Sequence, residues 1–234
     1  MAIYMWRKPA PLCFTANTAG STIQLTKTSS PTAVTLETST DGSTWSTYTF
    51  GNTITLSNIG DKVYWRNTSE TDTGFSLDVN NYYQFNMTWS IAASWDIWYL
   101  LNKNSTLSCS SSATFVRLFR DCSALTTCPE LPATTLTDLC YNNMFRGCTN
   151  LNTLPELPAL ILKTYCYGGM FYWCTKIKLS ATQTWEYQTE FRIPTTWTWT
   201  TASNALTNMF YWTWWTFTWT PSINTTYYTS NQVI

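Results

Sequence analysis

From about residue 10 to residue 88, short runs of β-branched and aromatic residues alternate with turn-forming clusters. Strand composition occupies residues 12–15, 22–26, 33–38, 53–56, 62–66 and 82–87. Between these runs lie Asp41-Gly42-Ser43, Asn58-Ile59-Gly60-Asp61 and Asp72-Thr73-Gly74. Short strands punctuated by frequent turns predict an all-β sandwich over residues 10–100, with Trp45 and Trp65 as its large core aromatics.

The pattern changes after residue 112, where a block of about 26 residues recurs. Phe119-Arg120-Asp121-Cys122 returns as Phe145-Arg146-Gly147-Cys148 and as Phe171-Tyr172-Trp173-Cys174; Cys140 returns as Cys166, and Pro129-Glu130-Leu131-Pro132 as Pro155-Glu156-Leu157-Pro158. A fixed period of this length predicts a solenoid whose coils bury their apolar faces against one another. Its structural positions are Phe119, Cys122, Cys140, Phe145, Cys148, Cys166, Phe171 and Cys174. Apolar residues at near-helical spacing, as over 136–145, predict one short helix per coil, and the Pro-x-Leu-Pro turn resets the chain. A degenerate last coil over 205–210 follows an interval half as long again as the repeat. The expected architecture is mainly β with short helices: an N-terminal arm (1–9), an Ig-like β-sandwich (10–100), a Ser/Asn-rich linker or cap (101–112) and a short leucine-rich-repeat solenoid with an atypical C-terminal cap (113–234).

Charge changes this picture by what it removes. Only 11% of residues are charged, with 13 basic and 13 acidic side chains in balance, so there is no electrostatic footprint for nucleic acid. No apolar run approaches the roughly 18–20 residues of a membrane helix, and the N-terminal residues lack the order of a secretory signal. The chain has no histidine, which removes Ser-His-Asp and Cys-His nucleophilic sites. Eight cysteines contain no Cys-x-x-Cys pair, so zinc ligand sets do not assemble. Their repeat positions predict ladders of buried thiols, close enough between coils for oxidation. Glu130 and Glu156 share one repeat position and read as a stacked surface feature; Glu186 and Glu190 read as a solvated pair. No catalytic residue, metal or cofactor is expected.

Leu131-Pro132-Ala133-Thr134-Thr135-Leu136, followed by Cys140-Tyr141, Met144-Phe145, Gly147-Cys148-Thr149 and Leu151, resembles the BspA-type leucine-rich repeat. The run Ser39-Thr40-Asp41-Gly42-Ser43-Thr44-Trp45, with Tyr48 and Gly60-Asp61-Lys62-Val63-Tyr64-Trp65-Arg66, resembles the β-sandwich that often precedes such repeats. The resemblance implies a surface protein of gut bacteria or of their phages. It would be a non-enzymatic structural or recognition component on a virion or cell surface, with a protein or glycan as partner. The alternative is a carbohydrate-binding module or carbohydrate-active enzyme built on carboxylates and exposed aromatics.

Fourteen tryptophans crowd towards the C-terminus. Strand alternation would place Trp197 with Trp199, and Trp215 with Phe217 and Trp219, on shared faces, making these five the candidate ligand-binding residues. A competing reading comes from the repeat itself. Trp173 stands where the earlier coils have Asp121 and Gly147, and Trp212 holds the corresponding place after Phe210. The resemblance implies glycine also at Trp89, Trp95, Trp185, Trp197, Trp199, Trp214, Trp215 and Trp219, as if UGA codons read as glycine in the source had been rendered as tryptophan.

Overall fold

A computed structural model of the chain describes residues 10–103, 109, 111–193, 202, 204–213 and 218–234. It is mainly β, with several sheets and almost no helix. The strands foreseen in the N-terminal half form as β1 (Leu12–Ala16), β2 (Ser21–Thr28), β3 (Leu36–Ser39), β5 (Thr53–Leu56), β6 (Lys62–Asn67) and β7 (Tyr82–Met87). Two more carried too little signal to read: β4 (Ser46–Thr47), short and wholly exposed, and β8 (Ile91–Ser94), made mostly of small residues. One sheet runs β4-β3-β6-β1-β8-β9, where β9 is Leu125–Thr127, and a second runs β5-β2-β7. Pairing is antiparallel except between β8 and β9.

Inward residues of the two sheets meet edge to face: Phe14 on β1 and Trp65 on β6 lie 4.9 and 5.2 Å from Phe85 on β7. Such T-shaped pairs suit the ring quadrupole. The Tyr48 hydroxyl ties the layers further by accepting from the Leu25 N–H at 2.9 Å. The turn at Asp41-Gly42 uses glycine because the backbone there is left-handed, φ 74°. The Asp41 carboxylate accepts from the N–H groups of Thr44 and Ser43 and from the Ser39 hydroxyl, which holds its carboxyl well below the usual range. Trp65 is fully buried, but Trp45 is not a core residue. It precedes the exposed edge strand β4, and the Arg66 guanidinium lies over its ring at 4.0 Å while pairing with Glu37.

The repeats contain no helix at 136–145. The only helical element among the described residues is a 3-10 turn at Ile97–Leu100, whose Trp98 N–H donates to the Asp96 carboxylate. In the second coil, Asn142, Met144, Arg146 and Cys148 each donate their N–H three residues back. Leu139, Tyr141, Asn143, Phe145 and Gly147 instead donate across to Thr164, Cys166, Gly168, Met170 and Tyr172 of the next coil. Every second N–H thus turns the coil and the others bind its neighbour, which an α-helix forbids by spending all its N–H groups internally. Left-handed residues recur every fourth position: Ala113, Arg117 and Asp121, then Leu139, Asn143 and Gly147, then Tyr165, Gly169 and Trp173, then Asn204, Asn208 and Trp212. The sequence spacing read as helical is this four-residue period, which places Cys140-Tyr141, Met144-Phe145 and Cys148 inward.

The same side chain therefore meets itself one coil later. Phe119, Phe145, Phe171 and Phe210 stack almost parallel at 5.5, 5.6 and 5.4 Å. Phe115, Tyr141 and Tyr167 form a second column at 6.0 and 5.8 Å. All eight cysteines are buried free thiols. Those of Cys122, Cys148 and Cys174 donate to the carbonyls of Phe85, Phe119 and Phe145.

The first coil continues the second sheet: the Phe85 N–H donates to Leu118, and the Phe85 ring stacks on Phe119 at 5.3 Å. Buried apolar residues from Leu12 to Tyr227 form one continuous core, including Leu101 and Cys109 at the junction. The long interval before the last coil contains β11 (Thr189–Arg192), paired with β12 (Thr226–Thr229); β13 (Gln232–Val233) pairs in parallel with β10 (Thr153–Leu154). The last coil is covered in turn, since the Phe210 N–H donates to Trp219 and the Asn208 N–H to the Thr220 hydroxyl.

Candidate functional site

One residue after each stacked phenylalanine, the chain turns outward. Arg120, Arg146, Tyr172 and Tyr211 occupy this position in successive coils, each half-buried. The Arg146 guanidinium lies 4.5 Å from the Tyr172 ring, Tyr172 stacks on Tyr211 at 4.8 Å, and Trp219 closes edge-on against Tyr211 at 4.6 Å. The result is a strip of planar groups along the outside of the coils, with rows of backbone hydrogen bonds holding its pitch. Planar faces with a cation at one end suit sugar rings or aromatic and acidic groups of a protein partner. Beside the strip run Asp121, Gly147, Trp173 and Trp212, one residue further along.

Of the five aromatics singled out from sequence, only Trp219 belongs to this strip; Trp197, Trp199, Trp215 and Phe217 lie outside the described residues. Arg146, Tyr172 and Tyr211 were missed because the column changes from arginine to tyrosine, so identity does not repeat. Their offset from the repeated phenylalanine was the available signal. The repeat residues Phe119, Phe145, Phe171, Cys122, Cys140, Cys148, Cys166 and Cys174 are all buried and face away from any ligand.

The carboxylates fall elsewhere. Glu130 donates its N–H to Trp95, whereas Glu156 donates to Ile234, so the two occupy different surroundings despite their shared repeat position. Glu156 and Glu190 instead line one cavity of about 410 Å³, with Leu157, Phe191 and Arg192. Both carboxylates are exposed. Glu186 lies near Lys178, 3.8 Å away, in an exposed ion pair.

A hydrogen bond with Cys140 lowers Cys109, but most of the thiols are held protonated by burial. It pushes Cys128 and Cys166 up to about 12 and raises Cys122, Cys148 and Cys174 as well; thiol reactivity requires the thiolate. Among the described residues no group of His, Cys, Asp and Glu is arranged to hold a metal ion, and no helix is long and apolar enough to cross a membrane. No family model, curated protein or solved structure matches the chain.

Proposed function

We propose that this chain is a non-enzymatic recognition or structural component of a virion or cell surface. In this reading the coils are a short leucine-rich-repeat solenoid of the BspA type, an Ig-like sandwich spaces them from their support, and the outer strip meets the ligand. The observation that carries the proposal is the Arg146-Tyr172-Tyr211-Trp219 strip. It is a displayed row of stacking groups held on a frame of repeated coils, bordered at its Arg120 end by the Asp121 carboxylate. The 11% charge and the missing histidine point the same way.

Location is tested by treating intact source particles or cells with protease and following this protein by immunoblot. Loss of the protein from intact material supports display; a protected protein found only in the cytosolic fraction removes the reading. The aromatic strip also favours a second, narrower reading, a carbohydrate-binding module. Affinity electrophoresis in gels containing host-surface polysaccharide should show retardation that Tyr172→Ala with Tyr211→Ala abolishes. Equal mobility of both proteins with and without polysaccharide leaves a protein partner as the ligand.

A further inference from the structure

Left-handed backbone sorts the tryptophans of this chain into two kinds. Nine lie among the described residues: Trp45, Trp65, Trp89, Trp95, Trp98, Trp173, Trp185, Trp212 and Trp219. Four of these have positive φ: Trp89 at 65°, Trp95 at 68°, Trp173 at 63° and Trp212 at 57°. Seven of the eight glycines share that conformation, whereas all other residue types together supply ten such positions. A left-handed φ presses Cβ against the carbonyl oxygen, so it is the region where glycine is favoured and a bulky residue is an outlier.

The surroundings of the four agree. Outside the coils, the other left-handed non-glycine residues are Ser29 and Asn224, both small and polar; Trp89 and Trp95 are the exceptions. Within the coils, bulk is admitted at the first and second left-handed positions, where Leu139, Tyr165 and Arg117 sit. The third position holds Asp121, Gly147, Trp173 and Trp212. A Cβ at Gly147 would come 2.4 Å from the Asp121 Oδ1 and 3.2 Å from its Cα, so coils crowd there. Nor do the indoles fill the core: Trp89, Trp173 and Trp212 are 71%, 47% and 58% exposed. Trp65 and Trp98 are the opposite kind, fully buried with negative φ and packed edge-on to Phe85 and Phe115.

We infer that positions 89, 95, 173 and 212 are glycine in the protein as its source makes it, and that Trp65 and Trp98 are true tryptophans. Tryptophan is encoded by UGG. UGA is a stop codon in the common code, and different variant codes read it as tryptophan or as glycine. One reassigned codon therefore accounts for indoles placed where the backbone calls for no side chain. The consequence reaches the outer surface: the strip keeps Arg146, Tyr172 and Tyr211, but its bordering row becomes Asp121, Gly147, glycine and glycine. This inference stands on backbone geometry and does not depend on the proposed function.

Three measurements test it. The gene should read UGA at 89, 95, 173 and 212 and UGG at 65 and 98; UGG at any of the four, or UGA at either buried position, overturns the assignment. Peptide mass spectrometry of protein isolated from its own source should find glycine at the four positions, and tryptophan there overturns it whatever the codon. In recombinant protein of the printed sequence, Trp89→Gly, Trp95→Gly, Trp173→Gly and Trp212→Gly should each raise the thermal midpoint by about 2–4 °C. Trp65→Gly and Trp98→Gly should lower it; a lower midpoint for all four left-handed sites removes the backbone argument.

Discussion

The two N-terminal sheets and the coils solve the same problem, burying apolar side chains while satisfying the backbone, by opposite means. Between the two sheets each contact is unique: Phe14, Trp65 and Phe85 come from three strands far apart in sequence. In the coils each contact is a copy, with Phe145 meeting its own equivalents above and below at 5.5 and 5.6 Å. Unique packing concentrates risk at single residues. Copied packing spreads it along a column, but a defect there disturbs two neighbours at once. Phe85 joins the two regimes, edge-on to Phe14 and Trp65 and stacked on Phe119 of the first coil.

The largest test removes the middle of the column. Phe145→Ala should cost about 3–5 kcal/mol, and because the core is continuous urea unfolding should remain a single transition. A separate early transition for the coils would break the picture of one core. Next in size is the response to alkali. Cys128 and Cys166 lie in the coils and keep their protons up to about 12 when folded, against 9.0 for an ordinary thiol. The unfolded chain therefore holds fewer thiol protons between those values, so this stabilisation is complete below pH 9.0 and is lost as pH rises towards about 12. The urea midpoint should fall over that window, and Cys128→Ala should flatten the fall.

Between the two N-terminal sheets, Tyr48→Phe leaves the ring packed but strips the Leu25 N–H of its partner, costing about 1–3 kcal/mol by chemical denaturation. A double-mutant cycle between Phe85 and Phe119 measures the joint itself, with an expected coupling of about 0.5–1.5 kcal/mol; additivity would mean that the regions merely touch. Smallest should be Lys103→Ala, which opens an exposed pair with Glu70 and should change stability by no more than about 1 kcal/mol.

Legibility followed the range of the forces involved. Strands β2 and β6 could be read because in/out alternation is written residue by residue, and glycine marked the left-handed turn at Gly42. The helix expected over 136–145 failed because a four-residue period of inward pairs is nearly the helical one. The sequence carries no mark of which N–H groups will leave the coil for its neighbour. Trp45 was misplaced for a related reason: it stands just before the edge strand β4, and edges are decided by what pairs beside them. The strip was hidden because Arg146 and Tyr172 become partners only when one coil lies on the next.

By itself the sequence determined the period, the identity of the columns, the strands with clean alternation and the lack of imidazole chemistry, since all of these follow from residue type and spacing. Tertiary structure decided the coil conformation, the joint through Phe85, the outer strip and the conformation of the described tryptophans. These depend on hydrogen bonds and contacts between segments distant in the chain, and such partners exist only once the chain has folded.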